Sequence, residues 1–201
     1  QLINNDAYLK EKVTAHQSET MQYGPIEVTV GEGGDYQTIN EALEYLSKKY
    51  PSYVEGENRT KALIKLLSGF EMREQIIVEG LNLSWIELTS EDDEVFIIRE
   101  ELTKEVTLPG GTDIFPAFAA TDGGFLPIFH CLFHMDETGE EDNRKGIACV
   151  RNSRAVVLER AGMIGAHDNI YAHSSSVIEA HGAIATDAIR HGIAAYESST
   201  I

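Results

Sequence analysis

The chain has only two cysteines, Cys131 and Cys149, among its 201 residues, and no Cys-x-x-Cys pair or Cys/His spacing of the zinc-binding kind. A disulfide framework and a structural zinc site are therefore excluded, and both thiols are expected to be reduced core residues. Positive charge is scarce too: 16 Lys and Arg stand against 33 Asp and Glu, a formal net charge of −17. Such a surface repels phosphate backbones and anionic lipid, so nucleic acid and membrane surfaces are not expected partners. No stretch approaches the roughly 20 apolar residues of a membrane span, and Gln1-Leu-Ile-Asn-Asn-Asp6 lacks the basic and apolar regions of a signal peptide. Yet 42% of the residues are hydrophobic, too many for a disordered chain. The length fits one domain, or one domain with an appendage. A start at Gln1 and a pattern that stops at Thr200-Ile201 read as a piece excised from something longer.

Residues 1–24 are polar, with apolar positions only at Leu9 and Val13, and read as a connector or stalk ahead of a boundary at Gly24-Pro25. Ile26-Glu-Val-Thr-Val30 alternates as a strand does, and Gly31-Glu-Gly-Gly-Asp35 reads as a turn. A helix is expected over about 38–50. Thr38 and Glu41 form a capping box, Ile39, Ala42, Leu43 and Leu46 share one face, and Pro51 stops it. From about residue 61 the period becomes that of strands: 62–67, 75–78, 83–88 and 95–98, spaced by about ten residues. The segment 99–130, with Pro109-Gly-Gly111 and Phe115-Pro-Ala-Phe118, reads as the least regular part, its aromatics plugging the core or reaching a neighbour.

The C-terminal part repeats. Ile147, Ile170 and Ile193 fall in one column at intervals of 23, followed by Ala148/Tyr171/Ala194 and Cys149/Ala172/Ala195. A second register aligns Leu158–Ile164 with Ile178–Ile184 at intervals of 20. Small and β-branched residues in fixed columns, without a helical stripe, are what one coil of a parallel β-helix writes. The expected fold is therefore all-β: a right-handed parallel β-helix with an N-terminal capping α-helix, over residues 25–201. The Leu-x-x-Leu-x-Leu frame of the rival leucine-rich solenoid is absent.

The run from Ile26 to Leu43, with Gly34-Asp-Tyr-Gln-Thr-Ile39, resembles the opening of pectin-lyase-like β-helix proteins, in which a strand, a Gly-rich turn and a short helix cap the first coil. The stretch 64–78 is similar to the strand, turn and strand that follow. Pectinesterases and bacteriophage tail spikes and appendages share this opening, so the resemblance specifies fold better than chemistry. Before such a β-helix, the polar preamble Asp6–His16 looks like the connector of phage fibres and spikes, which are homotrimers. The resemblance thus implies a virion tail component that contacts other tail proteins and binds host cell-wall glycopolymer or teichoic acid, with a depolymerase activity left open. The alternative is a stand-alone, secreted lyase or esterase of the pectin-lyase type. The Asp, Asp and Arg motifs of pectinesterases are not found here, and no Gly-x-Ser-x-Gly element supports a serine hydrolase.

Candidate sites follow from the repeat. In the 20-residue register Glu159 and Glu179 share a column, which stacks two carboxylates at the inter-strand distance of about 5 Å and makes them candidates for an acid/base pair. Asp168 and His181, with His167, Asp187 and His191, lie in or beside turns of the same coils, where a His and a carboxylate make a base pair or a ligand-binding site. Arg151, Arg154, Arg160 and Arg190 are the local cations that would hold a polyanionic glycan against the net charge, unless a divalent cation bridges. No cofactor or metal site is assigned: His-x-His and the Asp-x-Asp-x-Asp-Gly calcium spacing are absent, and the acidic run 136–144 reads as a solvated loop. Gly31-Glu-Gly33-Gly34 lacks the third glycine of a dinucleotide loop. His130 and His134 read as strand residues with structural roles.

Overall fold

A computed structural model of the chain describes residues 21–22, 26–51, 61–136 and 143–201. All but residues 21–22 of the connector assigned to 1–24, and most of the acidic run 136–144, lie outside them. The chain is strand-dominated and parallel. After β1 (Met21–Gln22), β2 (Ile26–Val30) leads through the glycine turn to the single α-helix among the described residues, α1 (Ile39–Ser47), and then to β3 (Tyr50–Pro51), which pairs with β1. From there the chain visits three walls in a fixed order. The first circuit is β4 (Ala62–Leu66), β5 (Glu71–Met72) and β6 (Ile76–Glu79); the second is β7 (Ile86–Ser90), β8 (Glu94–Ile97), β9 (Val106–Thr107) and β10 (Asp113–Thr121). The third is β11 (Ile128–Phe129), β12 (Leu132–Met135) and β13 (Arg144–Val150), and the fourth is β14 (Arg154–Val156), β15 (Gly162–Ile164) and β16 (Asp168–His173). β17 (Val177–Glu179), β18 (Ile184–Thr186) and β19 (His191–Ala195) make the last.

Each wall strand pairs in parallel with its counterpart one circuit away, whereas β9 pairs antiparallel with β10. The first wall is β2-β4-β7-β11, continued by the β14-β17 pair; the second is β5-β8-β12-β15-β18; the third is β6-β10-β13-β16-β19. This is a strand-rich architecture of parallel sheets compatible with a β-helix. Its core lies between the walls, built from the inward residues of each strand, such as Ala62, Ile64 and Leu66 of β4. At its centre Phe118 meets Phe129 at 5.0 Å and Phe133 at 4.7 Å, both edge-on, a preferred geometry for aromatic pairs.

The local structure of α1 follows its sequence. The Thr38 side chain accepts from the Glu41 N–H, and the Glu41 carboxylate accepts from the Thr38 N–H at 3.1 Å. Glu74, from the first circuit, caps the same end by accepting from the N–H groups of Ile39 and Asn40 at 2.6 and 3.0 Å. Ile39, Ala42, Leu43 and Leu46 are buried, so the helix covers the end of the core next to β2 and β4.

The three 23-residue columns pair as the repeat requires: Ile147 with Ile170 and Ile170 with Ile193, with both neighbouring columns in register. The 20-residue register is corrected. β14 and β17 pair Arg154 with Val177, Ala155 with Ile178 and Val156 with Glu179, again at 23, and Gly162 pairs with Ile184 at 22. The similarity at 20 spans a turn, where side-chain likeness carries no backbone pairing, whereas strand register is held by which face is buried.

The segment read as irregular contains the longest strand, β10, an interior strand of the third wall. Both faces of β13 and β16, and most of β10, are buried. Inward lie Phe118, Ile147, Cys149, Ile170 and Ala172. The outward residues Ile114, Ala119, Ala148, Val150, Tyr171 and Ala194 form a second cluster with Val106 and Leu108, supplied by the excursion that includes β9. Alternation is lost where both faces of a strand are covered.

One corner is also periodic. After the third wall, Arg151-Asn152, Ser174-Ser175 and Glu197-Ser198 all adopt positive φ, between 50° and 65°. Just beyond, the Ser153 N–H donates to Ser176 Oγ and the Ser176 N–H to Ser199 Oγ, each at 3.1 Å, a serine ladder at the same period of 23.

Candidate functional site

The outward face of the third wall ends in a polar row. Backbone register places Lys145 beside Asp168 and Asp168 beside His191, on β13, β16 and β19. The Lys145 side chain is 2% exposed and that of Asp168 0%, and they form an ion pair in which Lys145 Nζ donates to Asp168 Oδ2. A charged pair is kept in such a place only when its remaining hydrogen-bonding capacity is met. Here it is met by two imidazoles. His191 Nδ1 lies 2.7 Å from Asp168 Oδ1, and His167 Nδ1 lies 3.0 Å from Lys145 Nζ and 3.5 Å from Asp168 Oδ2.

Burial acts to raise the Asp168 carboxyl, but the Lys145 ammonium and the His191 hydrogen bond outweigh it and hold the group below the usual carboxylate value. His167 is pulled below the ordinary imidazole value by burial and by the charges of Lys145 and Arg190, with Asp168 opposing.

Beside this row stands an aromatic one. The Tyr171 ring lies 5.6 Å from Tyr196 and 5.9 Å from His173, nearly parallel to the latter, and Lys145 Nζ sits 5.3 Å from the Tyr171 centroid. Burial pushes the Tyr171 phenol up to about 12. His191 meets Tyr196 edge-on at 6.5 Å. Next along, His173 Nδ1 is 2.6 Å from Ser174 Oγ, which donates to Glu197 Oε2 at 3.1 Å. These three are not a nucleophile triad. Serine and carboxylate both approach the same ring nitrogen, whereas a relay needs them on opposite nitrogens. An open cleft of about 700 Å³ continues from Glu197 along the corner, lined by Ser174, Arg151, Asp122 and Pro109.

Among the residues expected from the sequence, Asp168 lies at the heart of this cluster and Arg190 stands at its edge, its N–H donating to the His167 carbonyl at 2.9 Å. Glu159 and Glu179 are both exposed but are not neighbours: Glu179 pairs with Val156, while Glu159 stacks on Gly182 of the next circuit. The column that motivated an acid/base pair is therefore absent. His181 and Asp187 are exposed on either side of β18, away from the row.

Nor do the four arginines form one patch. Arg151 and Arg154 flank the corner between the third and first walls, Arg160 lies between the first and second, and Arg190 between the second and third. Arg151 is engaged, donating from Nε and Nη2 to Asp122 at 2.7 and 3.0 Å and from Nη1 to the Thr107 carbonyl at 2.7 Å. His130 and His134 sit near Glu87 and Glu94, at 3.4 and 3.1 Å. Both cysteines are buried and free. Among the described residues no group of three or more His, Cys, Asp or Glu is arranged to hold a metal ion, and no helix is long and apolar enough to cross a membrane.

Sequence reasoning missed Lys145, Tyr171, His173, Tyr196 and Glu197 as site residues. The signal for the polar row was present: two positions before the isoleucine column, the same period of 23 reads Lys145, Asp168, His191. No protein-family model and no curated protein sequence matches the chain.

Proposed function

We propose that the chain is part of a right-handed parallel β-helix of the pectin-lyase-like type that serves in the tail of a bacteriophage as a spike or appendage module. It assembles as a homotrimer with other tail proteins and binds host cell-wall glycopolymer on the outer face of its third wall. The fold reading is supported by the fixed order in which the walls are visited and by the right-handedness of nearly all parallel crossovers. The observation that carries the binding reading is the half-buried Tyr196 ring, just after β19, which packs against the buried Tyr171 and His173 near a buried Lys–Asp pair and stands next to an open polar cleft. Aromatic faces bury the apolar face of a sugar ring, while neighbouring polar groups meet its hydroxyls.

The test is sedimentation of the full chain together with titration against purified wall glycopolymer from the host. A trimer is expected, with Tyr196→Ala weakening binding about tenfold, as the loss of roughly 1.4 kcal/mol at one aromatic contact requires. A monomer would refute the trimeric assembly, and binding that is absent, or indifferent to Tyr196→Ala, would refute the assigned face.

A further inference from the structure

The ion pair fixes the proton positions on both imidazoles. An ammonium has three protons and no lone pair, so His167 Nδ1, 3.0 Å from Lys145 Nζ, accepts. Nδ1 lies nearer this ammonium than the Asp168 carboxylate, which is 3.5 Å away, so in the neutral ring it is the Lys145 proton that Nδ1 meets. The ring proton of neutral His167 is therefore on Nε2. Asp168 is a carboxylate and only accepts, so His191 Nδ1 donates to it, and the His191 lone pair is on Nε2. One ionic pair thus presents a base on one side, held by a carboxylate, and a donor on the other, backed by an ammonium.

We propose that Lys145, His167, Asp168 and His191 form an acid–base site that hydrolyses O-acyl esters on the sugars of the bound glycopolymer. The assignment rests on the glycan-binding reading of this face. His191 Nε2 takes a proton from water as the water oxygen bonds to the acyl carbon. The tetrahedral adduct then breaks its bond to the sugar oxygen, which takes the Nε2 proton of His167 while Lys145 passes a proton to His167 Nδ1. The products are the free acid and the sugar hydroxyl. His191 is left protonated against Asp168 and Lys145 neutral, and exchange with solvent resets both. His191 and His167 are the catalytic residues; Asp168 and Lys145 are positioning and relay groups.

Two observations select this substrate class. Glycosidic hydrolysis needs two carboxyl groups flanking the bond, and the single buried carboxylate here is already held by Lys145 and His191. A neutral acylated sugar also meets no repulsion from a chain of net charge −17.

The test uses the full chain with penta-O-acetylglucose and p-nitrophenyl acetate as probes. Acetate release from both is expected. His191→Ala should lower both rates by roughly 10²–10⁴-fold. His167→Gln should lower release from the acetylated sugar at least about tenfold more than release from the p-nitrophenyl ester, because that leaving group departs without a proton; a circular-dichroism spectrum equal to wild type shows that the variant folds. Asp168→Asn should lower both rates by about 10²-fold or more, because the amide no longer holds His191 with its proton on Nδ1. No acetate release by the wild type, full activity in His191→Ala, or equal losses on both probes in His167→Gln would overturn the assignment. Glycopolymer binding without ester cleavage sinks this inference alone, whereas ester cleavage without glycopolymer binding sinks the binding reading.

Discussion

Replacing Lys145 by Met leaves the Asp168 carboxylate, 0% exposed, with one hydrogen bond from His191 and no counter-charge in contact. Breaking a buried pair from one side costs about 3–5 kcal/mol, far more than the pair's net worth. For a chain of this length that is a fall in melting temperature of roughly 6–20 °C. The sign of the pH dependence distinguishes this cause from lost packing. In the wild type the Asp168 carboxyl is held below its unfolded value, so its stabilisation is present above about pH 4 and is lost as pH falls through the lower folded value. In Lys145→Met the attraction is gone and burial dominates, so the folded value rises above the unfolded one. Protonation then relieves the penalty, so the variant should regain stability relative to wild type as pH falls. The double variant Lys145→Met/Asp168→Leu should recover most of the loss, since well-packed apolar replacements of ion pairs are often neutral. Urea unfolding followed through Trp85, the one tryptophan, which packs against the core, reads all three proteins. A loss under about 1 kcal/mol at pH 8, or parallel pH curves for variant and wild type, would show that the pair is not buried as described.

Gly146→Ala should destabilise by at least about 1–3 kcal/mol, because its new methyl would lie 2.4 Å from both the Asn169 carbonyl oxygen and Met163 Cγ; a melting temperature equal to wild type would contradict that close approach. Cys131 and Cys149 should not react with a disulfide reagent at pH 8 until urea unfolds the chain, since burial pushes both thiols well above the ordinary value. Rapid reaction of the native protein would show the core to be open.

What was legible in the sequence was whatever repeats on a backbone element. The helix and both halves of its capping box could be read because its apolar positions and cap residues are local. The 23-residue columns could be read because inward positions of successive strands must match in size. Glu159 and Glu179 misled because the likeness around them spans a turn, where nothing fixes register. β10 was hidden because its outward face is covered by Val106 and Leu108, which removes the alternation by which a strand is recognised. The candidate site was hidden for a related reason. Lys145 is buried, and its partners His167 and Asp168 are 22 and 23 residues away, beyond the reach of any local pattern.

The strand pairing between successive circuits has a mechanical consequence. Every wall hydrogen bond points along the direction in which circuits accumulate, by about 4.8 Å each. Compression along that direction presses pleat on pleat and is resisted by the whole cross-section at once. Tension applied at one end loads only the outermost circuit, so the chain should peel turn by turn at low, repeating forces.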